Sequence, residues 1–147
     1  MGIESIVDVR SFPGSRRHPH FSRAAMEEWL PARSVAYAWE PRLGGFRKPV
    51  AGSVNLGLRN EAFRGYADHT ATPEFAAALD EVLARAARER VAVMCAETLW
   101  WRCHRRILSD AAVLLRGAEV LHVLGGTVTA HQPAPAARVV NGALVYP

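Results

Sequence analysis

The segment 91–116 most constrains the fold of this chain, because it joins an apolar run to a helical pattern. Residues 91–94 are Val-Ala-Val-Met, which predicts a short buried strand. Residues 103–116 then repeat apolar side chains at helical spacing, and Gly117 is a natural helix stop. Upstream, Thr72-Pro73-Glu74 predicts the start of another helix. A strand between two helices is typical of a parallel sheet, whose strands are joined by helical crossovers.

The rest of the chain extends this alternation. The sequence predicts further strands over residues 3–9, 35–39 and 118–124, a helix over 23–30 capped by Ser22, a turn at Gly125-Gly126, and a small strand over 143–146. Residues 41–72 show little periodicity and are predicted to form a long functional loop. We therefore expect a single α/β domain over residues 1–147, with a small, mainly parallel β-sheet and helices on both faces in a three-layer, Rossmann-like arrangement. The chain opens directly on a strand, so either the sheet is small or a second copy covers its edge in a homodimer.

Composition narrows the class of protein and of partner. The chain has 147 residues, of which 50% are hydrophobic and 22% charged, as in an ordinary globular protein. No apolar stretch approaches the roughly 20 residues that span a bilayer, and the N-terminus lacks the basic start and apolar core of a signal peptide. We therefore expect a cytoplasmic protein without membrane contact. The formal net charge of +4 favours an anionic partner, either a phosphate-bearing small molecule or a nucleic acid.

Polar side chains follow two of the predicted strands. Asp8 and Arg10 end the first strand, and Cys95 and Glu97 follow the strand at 91–94. Because alternate residues of a strand share a face, each pair projects to one side. If the two strands are neighbours, all four groups meet at the carboxyl-end rim of the sheet, where open α/β folds bind ligands. Glu97 is then a candidate general base. The alternatives are a structural ion pair for Asp8 and Arg10 and a helix-capping carboxylate for Glu97.

A second group of reactive side chains lies at the start of the helix predicted from residue 103. Cys103, His104 and Arg105 lie where unpaired backbone N–H groups favour anions and ease the ionisation of a thiol. Cys103 is therefore a candidate nucleophile and His104 a candidate acid or base, although helical spacing also fits His104 as a core histidine. Cys95 has the alternative of packing within a buried strand. The spacing of the cysteines and His104 matches no zinc motif, so we predict no metal site. The sequence leaves the identity of any cofactor open.

The loop at residues 10–21 is the best candidate for binding an anion. It carries three arginines, whose planar forks match phosphate geometry, with Ser11 and Ser15 as further donors. Two phenylalanines in the loop supply stacking surface of the kind that suits a nucleotide or single-stranded nucleic acid. The predicted anion-binding residues, including two outside the loop, are Arg10, Arg16, Arg17, Arg105 and Tyr66.

These motifs resemble the family known as domain of unknown function 488. The resemblance spans about residues 5–125 and rests on residues 8–21, Leu43-Gly44-Gly45, residues 63–69, Met94-Cys95-Ala96-Glu97 and Cys103-His104-Arg105-Arg106. It implies a small cytoplasmic α/β domain and no established activity, cofactor or substrate. Members of the family usually open with a further strand and helix, which begin with a Thr-Ile-Gly-His-like segment. The sequence before residue 3 lacks this unit and any functional group that it carries.

Three functional hypotheses follow. The leading one is an enzyme that acts on a phosphate-bearing substrate, because ionisable side chains converge on predicted strand ends where stability does not require them. The residues predicted to act catalytically are Glu97, His104, Cys95, Cys103 and Asp8. One alternative is a non-catalytic nucleic-acid-binding module that uses the basic loop and Trp100-Trp101. The other is a thiol-based redox or stress protein. The sequence has no phosphate-binding P-loop, dinucleotide fingerprint or serine nucleophile elbow, which disfavours the corresponding enzymes.

Overall fold

The computed structural model describes residues 2–14 and 16–147, which form four α-helices and seven β-strands. The helices are α1 (Arg23–Ala32), α2 (Glu61–His69), α3 (Pro73–Ala86) and α4 (Arg105–Arg116). The strands are β1 (Ser5–Asp8), β2 (Ala36–Trp39), β3 (Val91–Met94), β4 (Leu121–Leu124), β5 (Thr127–Ala130), β6 (Arg138–Val140) and β7 (Ala143–Val145). None of the helices in this described part combines the length and apolar character that a membrane crossing requires.

The chain forms two compact units. The first comprises Met1–Gly44 and Ala77–Ala96, and the second comprises Gly45–Ala76 and Glu97–Pro147. The first unit holds the three parallel strands β1, β2 and β3, whereas the strands of the second unit are antiparallel. The predicted mixed α/β class is therefore confirmed. The single-domain organisation stays a prediction.

The sheet of the first unit has the strand order β2-β1-β3. In β1, Asp8 lies opposite Trp39 of β2 and opposite Met94 of β3. The strand near the N-terminus and the strand at 91–94 are thus neighbours, which is the condition that the hypothesis of a shared rim requires. Val7 and Val9 are buried, as expected for an apolar β-branched run in the central strand of a parallel sheet.

Helix α1 begins where the sequence predicts. The Ser22 hydroxyl accepts a hydrogen bond from the backbone N–H of Ala25 at 3.2 Å, which satisfies one of the donors that a helix leaves open at its start. The helix continues to Ala32, two residues beyond the predicted end, with Pro31 inside its last turn. Met26 and Leu30 are its buried residues.

The prediction of a long functional loop over residues 41–72 is wrong in part, because this segment contains α2, which lies in the second unit. The Asn60 side chain caps α2 by accepting from the backbone N–H of Phe63 at 3.1 Å. A glycine in mid-helix weakens the sequence signal, yet Gly65 is required: a Cβ there would lie 2.1 Å from the carbonyl oxygen of Arg47.

Helix α4 packs against α2 and β7 and buries Ile107 and Ala111. It ends as predicted at Gly117, which adopts the left-handed conformation with φ 64°. The strand predicted over 118–124 forms only at β4, and it pairs with β5 in an antiparallel hairpin rather than extending the parallel sheet. The physical reason is the tight turn at Gly125-Gly126, where Gly125 has φ 60°, which returns the chain at once.

Candidate functional site

In the first unit, Asp8 and Arg10 form a closely paired, buried cluster. The Arg10 guanidinium donates from Nε to Oδ1 of Asp8 at 2.8 Å and from Nη2 to Oδ2 at 2.6 Å. The Tyr37 hydroxyl also donates to Asp8, and the Trp39 indole donates to the carbonyl oxygen of Arg10 at 2.7 Å. The hydrogen bonds from Arg10 to Asp8 raise the Arg10 pKa above its ordinary value. Burial, together with the Asp8 carboxylate, raises the pKa of Tyr37. This geometry is that of an ion pair closing a strand end.

The basic loop of the first unit is exposed. Arg16 and Arg17 lie on the surface, and the Phe12 and Phe21 side chains are 74% and 41% exposed. Ser15, one of the two serine donors predicted in this loop, lies outside the described residues. Cys95 follows β3 and is half-buried.

The second unit contains Glu97, Cys103, His104 and Arg105, and Arg105 connects two of the others. The buried sulfur of Cys103 accepts from the backbone N–H of Arg105 at 3.3 Å and from its Nε at 3.1 Å. Nη2 of the same guanidinium donates to the backbone carbonyl of Glu97. The Glu97 carboxylate accepts from the backbone N–H of Leu99 at 3.3 Å, within the loop that precedes α4. One guanidinium thus closes the loop before α4 and donates to a thiol.

His104 precedes α4 as its N-terminal cap residue and is half-buried. Its ring lies 5.0 Å from that of Tyr66, centroid to centroid. Gly45 permits the approach of this imidazole, since a Cβ there would lie 2.8 Å from Nδ1 of His104. Tyr66 itself is fully buried, with its ring edge-on to Phe75.

Three side chains that the sequence did not single out as a site form a hydrogen-bonded chain in the same unit. Oδ1 of Asp110 accepts from Nε2 of His131 at 2.6 Å, and Nδ1 of His131 lies 2.8 Å from Nε2 of His122. Asp110 is fully buried, and each histidine is less than 10% exposed. Oδ2 of Asp110 accepts from the hydroxyl of Tyr146 at 2.6 Å. Burial, and then the Asp110 carboxylate, raises the pKa of Tyr146.

The imidazole of His122 stacks on Trp100, with ring centroids 3.8 Å apart and planes 2° apart. Trp100, which the sequence analysis considered for stacking on a nucleic-acid base, therefore stacks on a histidine of its own unit. Trp101 is 43% exposed. Burial, then His131, then the charge of Arg105 lower the pKa of His122 to about 4. Arg105 thus acts on both Cys103 and His122.

Residues 1–112 match the family profile described as Domain of unknown function DUF488. The match covers more than half of the 147 residues. The chain belongs to this family. No curated protein and no solved structure matches it.

The DUF488 match includes Cys103, Arg105 and Asp110, but His122 and His131 lie beyond its end. The hydrogen-bonded chain therefore joins a helix of the DUF488 region to the hairpin that follows it. In residues 2–14 and 16–147, no group of three or more His, Cys, Asp or Glu side chains converges as metal ligands do.

Proposed function

We propose that this DUF488 protein is an enzyme that acts on a phosphate-bearing substrate, a nucleotide or a nucleic acid. The observation that carries the proposal is the thiol of Cys103 held by two N–H donors of Arg105, one from the guanidinium and one from the backbone. A cationic donor of this kind favours the thiolate, which is the nucleophilic form of cysteine.

In this proposal Cys103 attacks phosphorus. The bond between sulfur and phosphorus forms as the bond between phosphorus and the leaving oxygen breaks, and that oxygen takes the electron pair. A water oxygen then bonds to phosphorus and the water loses a proton to a neighbouring base. The sulfur–phosphorus bond breaks at the same time, and its electron pair returns to sulfur as the thiolate. Arg105 stabilises the charge that develops on the phosphoryl oxygens, and Glu97 and His104 are the proposed acid–base groups beside it. In the first unit, catalysis by Asp8 and Cys95 and anion binding by Arg10, Arg16 and Arg17 stay predictions.

The test uses 4-nitrophenyl phosphate and bis(4-nitrophenyl) phosphate, whose leaving group departs without needing a proton. We expect turnover by the wild type and a loss of at least about 10³-fold in Cys103→Ser and Arg105→Ala, as when a nucleophile or its activating group is removed. Arg102→Ala is the matched control, because Arg102 is an exposed arginine of the same loop; its turnover stays unchanged. Unchanged turnover in Cys103→Ser contradicts the proposal.

A non-catalytic nucleic-acid-binding role is the second candidate, and the exposed Phe12 side chain beside Arg16 and Arg17 favours it. Exposed aromatic and basic groups on one loop suit a single-stranded nucleic acid. Binding of a fluorescent oligonucleotide should weaken as salt rises, with a shallower slope in a variant in which both arginines are replaced by glutamine. Salt-independent binding, or an unchanged slope in that variant, contradicts this role.

The proposal also includes three predictions about the architecture, location and partner of the protein. They are a three-layer, Rossmann-like arrangement, a cytoplasmic location and a second copy of the chain as partner. The thiol-based redox hypothesis also stands as an alternative, with Cys95 and Cys103 as its thiols. Labelling of both cysteines under oxidising conditions tests it, since a redox pair becomes unreactive when a disulfide forms.

A further inference from the structure

In the hydrogen-bonded chain of Asp110, His131 and His122, the partner of each atom fixes where the protons lie. A carboxylate only accepts hydrogen bonds, so Nε2 of His131 carries a proton and donates to Asp110. In a neutral His131 ring the other nitrogen, Nδ1, is then an acceptor. Nε2 of His122 therefore donates to it, and Nδ1 of His122 keeps its lone pair.

That lone pair is accessible. Nδ1 of His122 has no hydrogen-bond partner among the residues the structure describes, where every wholly buried side-chain nitrogen or oxygen has one. The atom therefore reaches solvent, although the residue is only 8% exposed. The hydrogen-bonded chain begins at a buried carboxylate and ends at an imidazole nitrogen that is not wholly buried.

The surroundings hold the chain in place. Tyr146 and the backbone N–H of Ala134 donate to the Asp110 carboxylate, and the backbone N–H of His131 donates to the carbonyl of Val120 at 2.8 Å, which extends the β4–β5 ladder. Trp100 fixes the plane of the last imidazole by stacking. A purely structural ion pair needs only Asp110 and His131. It does not require a second histidine with a nitrogen that reaches solvent.

We infer that His122 is a catalytic general base, with His131 and Asp110 as positioning residues, and that it acts in the hydrolysis of a phosphorylated Cys103. This inference rests on the proposed function for the reaction it serves. The O–H bond of a water molecule breaks and its proton goes to Nδ1 of His122. The water oxygen bonds to phosphorus as the sulfur–phosphorus bond breaks and returns its electron pair to sulfur.

The charges around His122 affect the protonation state of its ring. The titratable and charged groups that act on its ring are His131, on the segment after β5, and Arg105, at the start of α4. Together with burial, they keep the ring neutral at neutral pH, because its pKa falls to about 4. A neutral imidazole accepts a proton, and the Asp110 carboxylate at the far end of the chain stabilises the cation that forms.

The first test needs no substrate. Long-range ¹H–¹⁵N correlation spectra of ¹⁵N-labelled protein distinguish the two neutral tautomers from the imidazolium form. At neutral pH, we expect a neutral His122 ring with its proton on Nε2. A proton on Nδ1, as when His131 is a cation that donates to His122, overturns the inference whatever the activity.

The second test separates this inference from the proposed function. With 4-nitrophenyl phosphate, His122→Gln keeps the initial burst of 4-nitrophenolate, and its steady-state turnover falls at least about 10²-fold, as on removal of a general base. Cys103→Ser loses the burst itself. Thr129→Ala is the matched control, since Thr129 is the exposed cross-strand partner of His122; it retains both phases. Unchanged steady-state turnover in His122→Gln, or loss of its burst, overturns the inference about His122. Neither result contradicts the assignment of Cys103 as the nucleophile. Absence of any turnover in the wild type overturns the proposed function, and the tautomer measurement still decides whether Nδ1 is an acceptor.

Discussion

The depressed pKa of His122 predicts a specific dependence of stability on pH. An unfolded chain protonates this ring below its ordinary pKa of 6.5, whereas the folded protein holds it neutral until about pH 4. Stability from this group is therefore fully present above pH 6.5 and is lost as the pH falls from 6.5 towards 4, because protons then bind the unfolded state preferentially. The shift from 6.5 to about 4 sets a ceiling of about 3 kcal/mol. Solvent at Nδ1 screens the ring and reduces the expected effect to about 1–2 kcal/mol.

The assay is urea denaturation of the wild type and of His122→Gln over this pH range. Glutamine retains a side-chain N–H for His131 but does not titrate, and most other titrations are common to both proteins. We expect the difference in free energy of unfolding to be constant above pH 6.5 and then to shift by about 1–2 kcal/mol against the wild type as the pH falls towards 4. Thr129→Ala should follow the wild type throughout. A difference that stays constant, or that moves in favour of the wild type as the pH falls, refutes the reasoning, because the folded state then binds the proton at least as well as the unfolded chain.

Three further substitutions test buried features of the two units, each by urea denaturation. Arg10→Met leaves the Asp8 carboxylate buried without its cation and should cost about 3–5 kcal/mol; a loss below about 1 kcal/mol contradicts the paired network. Tyr146→Phe removes one hydrogen bond to the buried carboxylate of α4 and should cost about 1.5–3 kcal/mol, and an unchanged stability indicates that this bond does not form. Gly65→Ala decides between opposite expectations: helix propensity alone predicts a gain of about 1 kcal/mol, whereas the carbonyl of Arg47, 2.1 Å from the added Cβ, predicts a loss of about 3 kcal/mol or more.

The features that the sequence predicts correctly are those with a local physical cause. The apolar run at β3 is too short for a helix and carries valines, so it identifies a strand, although its four residues are half-buried rather than buried as predicted. The Ser22 cap and the Gly117 stop depend on a few neighbouring residues and follow from side-chain and backbone chemistry. The sequence did not predict helix α2, because the helix has only nine residues and contains Gly65. This glycine is required by the close approach of Arg47, which is distant in the chain.

The chain of Asp110, His131 and His122 could not be derived in this way, because its hydrogen bonds join residues 9 and 21 positions apart. One sequence signal was present. In β4 a histidine lies between Leu121 and Val123, and the structure buries the histidine while leaving the two aliphatic side chains about half exposed. This inverts the usual alternation, in which the aliphatic residues face inward. For a histidine between two aliphatic residues in a short strand, a sequence analysis therefore has to consider that the histidine is the buried residue.

Arg105 connects the two reactive groups of the second unit and provides the last prediction. Its guanidinium donates to the sulfur of Cys103, and its charge is the third cause, after burial and His131, of the lowered His122 pKa. Arg105→Gln therefore has two effects at once. The pKa of His122 rises towards its ordinary value, because one repulsive charge is removed. The thiolate fraction of Cys103 falls, because a cationic donor is lost.

Both effects are measurable in the absence of a substrate. An NMR titration follows His122, and the rate of alkylation by iodoacetamide follows Cys103. Arg102→Gln removes an exposed arginine of the same loop and should change neither quantity. If Arg105→Gln slows alkylation but leaves the His122 titration unchanged, the guanidinium serves the thiol alone, and the electrostatic link between the two groups is wrong. If both move as expected, a single side chain at the start of α4 lowers the proton affinity of both a nucleophile and a base. That is the condition for a neutral base and an ionised thiol to coexist at one pH.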